Sequence, residues 1–183
     1  MAPLRPFTVL LLGLTCLSAM ANNTSPCRDD DRFRQFDFWL GSWEVRQRED
    51  NRLAGYNEIT VSQNGCLIEE HWRSVNGGTG FSMNIFNPVS GQWRQVWVAD
   101  GYSIDYRGGL RADGSMRLEG KLYNYRDGTA SDFRGTWIPG KDGTIRQLFE
   151  IRPGDEGDDG WAVWFDGIYR PVGSHRGARE GPP

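Results

Sequence analysis

The sequence predicts an all-β domain: an antiparallel up-and-down β-barrel of about ten strands, entered through a short N-terminal helix. Three observations carry this. From residue 42 to Arg170 apolar and polar residues alternate in short runs, with no sustained helical period. The runs are separated by turn pairs such as Asn64-Gly65, Asp100-Gly101, Asp113-Gly114, Asp127-Gly128 and Asp142-Gly143. No segment offers the long crossover helix that parallel strands need. Sequential antiparallel strands lose their open edges by closing into a barrel, and a two-sheet sandwich is the competing arrangement.

The elements follow in order. Residues 1–21 read as an export signal: Arg5 supplies the positive start, Phe7–Leu17 is an apolar run too short to span a bilayer, and Ala19-Met20-Ala21 is a cleavage pattern. Its removal takes one Arg and changes the formal net charge from -3 to -4. Residues 22–32 form a polar leader, and residues 33–170 the barrel domain. Asp31 is placed to cap a helix over Arg32–Leu40, with Phe33, Phe36 and Leu40 on one face. Ten strands are expected at 42–48, 56–63, 66–75, 80–86, 92–100, 102–110, 115–123, 131–138, 144–152 and 161–170. Residues 171–183 are rich in Gly and Pro and read as a disordered tail. The acidic 154–160 stretch lacks calcium-loop spacing and reads as a solvated hairpin tip. Asn22 and Asn23 fit a glycosylation pattern that matters only in a eukaryotic secretory pathway.

Composition limits the function. The chain has 183 residues, 25% charged, with a pI near 5.4 and a mean hydropathy of -0.60. That excludes a generic basic nucleic-acid binder and a membrane bundle, and no membrane insertion of the mature chain is expected. Cys27 and Cys66 remain after the signal. They form a disulfide in an oxidising compartment or stand as two separate buried thiols, and the sequence leaves both open. The expected localisation is secreted or periplasmic.

Period two sorts each strand into faces. One face carries Trp43/Val45, Ile59/Val61, Ile68/Glu70/Trp72, Gln95/Trp97, Ile104/Tyr106, Met116/Leu118/Leu122, Phe133/Trp137, Ile145/Gln147/Phe149 and Val163/Phe165/Tyr169. The other carries Arg73, Arg94, Arg117, Glu119, Lys121, Arg134, Arg146 and Arg152. Three polar residues fall on the oily face: Glu70, Gln95 and Gln147. Burying them unpaired would cost several kcal/mol each, so they need each other, an indole or phenol group, or a ligand. A barrel of eight to ten strands is wide enough to hold a cavity. Aromatic walls with a few convergent polar groups describe a small-molecule site, of roughly 300–1,000 Å³ in typical cases. The expected ligand-binding residues are Glu70, Trp72, Gln95, Trp97, Tyr106, Phe133, Trp137, Gln147, Phe149 and Phe165. A filled core with a satisfied polar network is the plainer alternative.

The segment Phe36–Val45, FDFWLGSWEV, resembles the opening of lipocalin-like (calycin) barrels, whose G-x-W motif matches Gly41-Ser42-Trp43. The segments NGCLIEEHW (64–72), GQWRQVWVADG (91–101), RGTWIPGKDGTIRQLFE (134–150) and VWFDGIYR (163–170) are similar to one family of secreted bacterial proteins of unknown function. The resemblance implies a barrel over roughly residues 33–170, with a small-molecule ligand as the expected partner. It supplies no catalytic residues. It also implies that Trp43 plugs one barrel end while Arg170 stacks on it as a cation–π pair.

Little else in the chain carries chemistry. No nucleophile elbow, phosphate loop or CxxC motif is present. The chain has too few His and Cys for zinc. His71 falls on the wet face. His175, late in the chain as in related haem-binding barrels, stands in the tail without a second ligand, so neither metal nor cofactor is expected. Glu70, between Ile68 and Trp72, is the one candidate general acid or base, because burial raises a carboxyl pKa. The sequence therefore supports a barrel binding a small, largely apolar or aromatic molecule. A cyclase- or isomerase-type enzyme using Glu70 and a structural or protein-interaction module are the alternatives.

Overall fold

A computed structural model describes residues 25–152 and 160–173. The expected export signal, Asn22 and Asn23, most of the acidic 154–160 stretch, and His175 lie outside the described residues.

Ten antiparallel strands form a closed barrel. They are β1 (Gly41–Gln47), β2 (Leu53–Ser62), β3 (Leu67–Ser74), β4 (Thr79–Asn87), β5 (Gln92–Ala99), β6 (Tyr102–Leu110), β7 (Met116–Asn124), β8 (Ala130–Pro139), β9 (Ile145–Arg152) and β10 (Ala162–Pro171). Each pairs with its sequence neighbours, and β10 returns to β1 with Val45 opposite Tyr169. The sandwich alternative is excluded by that last pairing. The Asp-Gly turns work as read: Gly101, Gly114, Gly128 and Gly143 all take positive φ, which costs glycine nothing. Asn64-Gly65 lies in a wider turn, because Gln63 also takes positive φ and the loop runs from Ser62 to Leu67.

The expected helix over Arg32–Leu40 is corrected. A four-residue helix α1 (Pro26–Asp29) forms earlier, within the supposed leader, and two short 3₁₀ turns follow at Asp31–Arg34 and Asp37–Trp39. Asp30, not Asp31, caps the first turn, accepting the Arg32 N–H at 3.0 Å. The reason for the change of helix type is burial. A 3₁₀ turn has three residues per turn, so Phe33, Phe36 and Trp39 share one face. They are 6%, 0% and 0% exposed. An α-helix would have aligned Leu40 instead of Trp39.

This segment closes one end of the barrel. Phe36 stacks on Trp39 at 4.9 Å and meets Trp93 and Trp137 edge-on at 5.7 and 5.1 Å. Phe33 meets Phe86 edge-on at 5.1 Å. The Trp93 indole donates to Gln35 Oε1 at 3.2 Å. Trp43 is buried beside Tyr169 and donates from Nε1 to the Trp39 carbonyl at 2.9 Å. Arg170 does not stack on it. Tyr169 points inward, so Arg170 points outward, and it donates to Asn51 Oδ1 at 3.2 Å. The arginine–indole contacts of this barrel fall elsewhere, with the Arg134 and Arg152 guanidinium groups over Trp161 at 4.2 and 5.0 Å.

The wet face carries cross-strand ion pairs: Arg94–Asp105, Arg134–Glu150, Arg146–Asp166, and Asp132 shared by Lys121 and Arg152. Exposed pairs of this kind add little individually. Two residues assigned to the oily face are outside. Val61 is 38% exposed near the end of β2. Val163 is 64% exposed because β10 bulges at Trp164: Val163 faces Glu150 while Phe165 faces Phe149. One extra residue reverses the parity of everything upstream of it.

Cys27 on α1 and Cys66 at the end of the β2–β3 turn form a disulfide, with Cα atoms 5.0 Å apart. Ser25 Oγ and Arg34 Nη2 also bond this turn, through the carbonyls of Asn64 and Gly65. The bond ties the end-closing segment to the barrel wall. Cys27→Ser with Cys66→Ser should lower the unfolding free energy by about 4 kcal/mol for a separation of 39 residues, read as a reduced urea midpoint.

Candidate functional site

The lumen has three layers, set by which side chain each strand points inward. At the closed end it is solid. Trp93, Trp137, Phe133, Tyr106, Met116, Leu118 and Phe36 fill it, all nearly or fully buried.

The middle layer is polar and centres on Glu70 of β3, which is 3% exposed. Asn57 of β2 donates to Glu70 Oε1 at 2.7 Å, and Ser82 of β4 donates to Oε2 at 2.6 Å. Gln95 of β5 reaches Oε2 at 3.5 Å and also donates to Ser82 Oγ and Asn84 Oδ1. Asn84 donates to Ser82 Oγ at 3.0 Å, and the Tyr106 hydroxyl donates to Gln95 Oε1. On the far side Asn57 Nδ2 reaches the Tyr169 hydroxyl, which donates to Gln147 Oε1 at 2.8 Å. The chain Tyr106–Gln95–Asn84–Ser82 is thus polarised toward Glu70, each donor pointing down the chain to the carboxylate. Glu70 is the single charged residue in the buried set of the described residues. Among the described residues no guanidinium, ammonium or imidazole shares this layer.

The third layer is a cavity of about 140 Å³ at the open end. Its lining is Glu70, Trp72, Trp97, Tyr102, Gln147, Phe149, Trp164, Phe165 and Tyr169. Seven of these nine are aromatic, and the other two are Glu70 and Gln147, so the chamber is ring-walled with a polar floor. The rings lie against the wall because inward-facing glycines leave room beside them, on the neighbouring strand for Trp72, Trp97 and Phe149 and on the same strand for Phe165. A Cβ at Gly55 would strike the Trp72 ring, one at Gly80 the Trp97 ring, one at Gly135 the Phe149 ring, and one at Gly167 the Phe165 ring. Glycine inside a strand weakens it, and here its gain is a flat seat for each ring. Trp164, thrown inward by the β10 bulge, folds over the rim onto Tyr102, Phe133 and Phe149. The Trp97 indole N–H is buried without a well-formed hydrogen bond, although it faces the Tyr102 hydroxyl.

The expected site residues divide among the three layers. Glu70, Trp72, Trp97, Gln147, Phe149 and Phe165 line the cavity. Gln95, Tyr106, Phe133 and Trp137 lie deeper and belong to the polar layer and the solid end. The lumen is correspondingly smaller than the size expected of a drug-scale pocket, because the end-closing segment adds three buried aromatics to the interior. Sequence reading missed Tyr102, Trp164 and Tyr169 as lining residues, and Asn57, Ser82 and Asn84 as polar partners. Tyr102 shares the parity of Ile104 and Tyr106, and Asn57 that of Ile59, so alternation held the signal. Trp164 carries no such signal, since its position depends on the bulge.

Burial pushes the Glu70 carboxyl up from 4.5 to about 7, against the opposing hydrogen bonds from Ser82 and Asn57. Burial also raises the Tyr106 and Tyr169 phenols well above their ordinary value, with Glu70 adding to the effect, so both stay neutral.

No family model matches the chain, and no curated protein matches it. The class is therefore defined by the fold: a closed ten-stranded antiparallel barrel, consistent with a lipocalin-like fold.

Two outcomes follow. Between pH 4.5 and 7 the folded chain keeps a Glu70 proton that the unfolded chain has lost, so this group withdraws about 3 kcal/mol of stability as pH rises through that window. The outer acids Asp105, Asp132 and Glu150 are held below their usual range by hydrogen bonds from Arg94, Lys121 and Arg134, and their stabilisation is lost as pH falls through the acid range. Urea unfolding against pH should show a maximum between these windows, and Glu70→Gln should remove the loss on the alkaline side. Gly80→Ala should drive the Trp97 indole toward the cavity, costing about 1–3 kcal/mol and altering the near-ultraviolet circular dichroism.

Proposed function

We propose that this protein is a secreted or periplasmic barrel that binds one small molecule in the open end of its lumen. The observation that carries the reading is the chamber of aromatic rings with a single buried carboxyl at its floor. A hydrophobic chamber with few, convergent polar groups is the usual form of a ligand site. Its volume of about 140 Å³ suits a ligand near the size of a single six-membered ring. The Cys27–Cys66 disulfide supports an oxidising compartment. No helix among the described residues is long and apolar enough to cross a membrane.

A second reading has its own support. A carboxyl held near neutrality beside a cavity suits general acid–base catalysis, as in a cyclase or isomerase that acts on the bound molecule.

A panel of single-ring compounds should raise the melting temperature and shift the tryptophan fluorescence, with about 2.7 kcal/mol of stabilisation at one hundred times Kd. Trp164→Ala should weaken that binding. Compounds of two or more fused rings should not bind. Absence of any binder in the panel would count against the lumen as a site. If wild type converts a bound compound, Glu70→Gln should retain binding and lose turnover.

A further inference from the structure

We infer that the cavity selects a small organic cation, such as a methylated ammonium group, seated among the rings with Glu70 as its counter-charge. The inference rests on the lumen-ligand reading above and specifies its ligand class.

Three features point the same way. The walls present indole and phenyl rings, whose faces carry negative partial charge and attract cations when water is excluded. Trp72, Trp97, Trp164 and Phe149 are among them, and indole is the strongest such partner. The floor is a carboxylate already supplied with donors from Asn57, Ser82 and Gln95. Those donors favour the ionised form, whose two oxygens can accept all three hydrogen bonds, and they oppose the effect of burial. Finally, the charge has no cationic partner among the described residues. The groups facing Glu70 among the described residues are Asn57 from β2, Ser82 and Asn84 from β4, Gln95 from β5, Tyr102 and Tyr106 from β6, and Gln147 and Tyr169 from β9 and β10. Among these, only the three phenols titrate, and burial raises each of them and keeps them neutral.

A buried anion with donors but no cation is costly unless the cation arrives from outside. Among the described residues, the ring-walled cavity reaches it. A neutral ring compound would satisfy the walls and leave the carboxylate uncompensated. A strongly hydrated inorganic cation would satisfy the carboxylate and lose its water to rings that cannot replace it. An alkylated ammonium fits both surfaces.

The test compares choline with its neutral isostere 3,3-dimethyl-1-butanol, which differs by carbon for nitrogen and so by charge alone. Wild-type protein is titrated with each, followed by tryptophan fluorescence and calorimetry at pH 5.5 and pH 8. Choline should bind at least tenfold tighter than the isostere at pH 8. Because choline cannot lose a proton, its affinity should rise about thirtyfold between the two pH values as Glu70 ionises, while the isostere should show no such rise. Glu70→Gln should abolish the preference. Should that variant fail to fold, Trp164→Ala at the rim should weaken choline binding about tenfold. Equal or tighter binding of the isostere overturns the inference and leaves the lumen-ligand reading intact. So does binding of neutral ring compounds without binding of choline. If neither cations nor ring compounds bind, both readings fall.

Discussion

The pairing of β1 with β10 is the constraint on which the rest depends. Five residue pairs, from Trp43–Pro171 to Gln47–Gly167, join the two ends of the described barrel. That closure converts alternation along each strand into a separation between lumen and exterior. It also brings Tyr169 of the last strand within 3.1 Å of Asn57 on the second, a contact spanning 112 residues of chain. An open sheet would leave Glu70 facing solvent, with an ordinary pKa and no chamber above it.

Within the closed barrel, filled and empty space are divided by two devices. The 3₁₀ segment pushes Phe33, Phe36 and Trp39 against one end, where Trp93, Trp137 and Tyr106 complete a dry core. At the other end, glycines on the strand walls give the rings somewhere to lie flat, so bulky residues surround a space instead of occupying it. The same residue type, tryptophan, therefore fills one half and lines the other. For Trp72 and Trp97 the glycine on the neighbouring strand, Gly55 or Gly80, leaves room for the ring to lie at the wall.

Glu70 carries a conflict that its surroundings do not remove. Burial opposes its charge, while Asn57, Ser82 and Gln95 offer donors that favour it. The two effects leave the carboxyl near neutrality in its titration. Polar groups this deep are expensive when partly satisfied, so the layer is better understood as one side of an interaction than as a device for stability.

Much of this was legible in the residues. Period-two alternation and Asp-Gly turns determine the strands, the antiparallel order and the inward aim of Glu70, Gln95 and Gln147, because side-chain direction in a strand is a matter of counting. The outward arginines and their carboxylate partners follow from the same count. Counting fails where spacing changes. The bulge at Trp164 reverses Val163 and adds an indole to the rim, and the three-residue period at Phe33, Phe36 and Trp39 replaces an α-helix. Arg170 lies outside, and not over Trp43, for the same arithmetic reason that Tyr169 lies inside. The joining of Cys27 to Cys66, the division of the lumen into solid and hollow, and the lack of a cation beside Glu70 are decided only in three dimensions. Each depends on distances between residues far apart in the chain, which closure sets and local pattern does not encode.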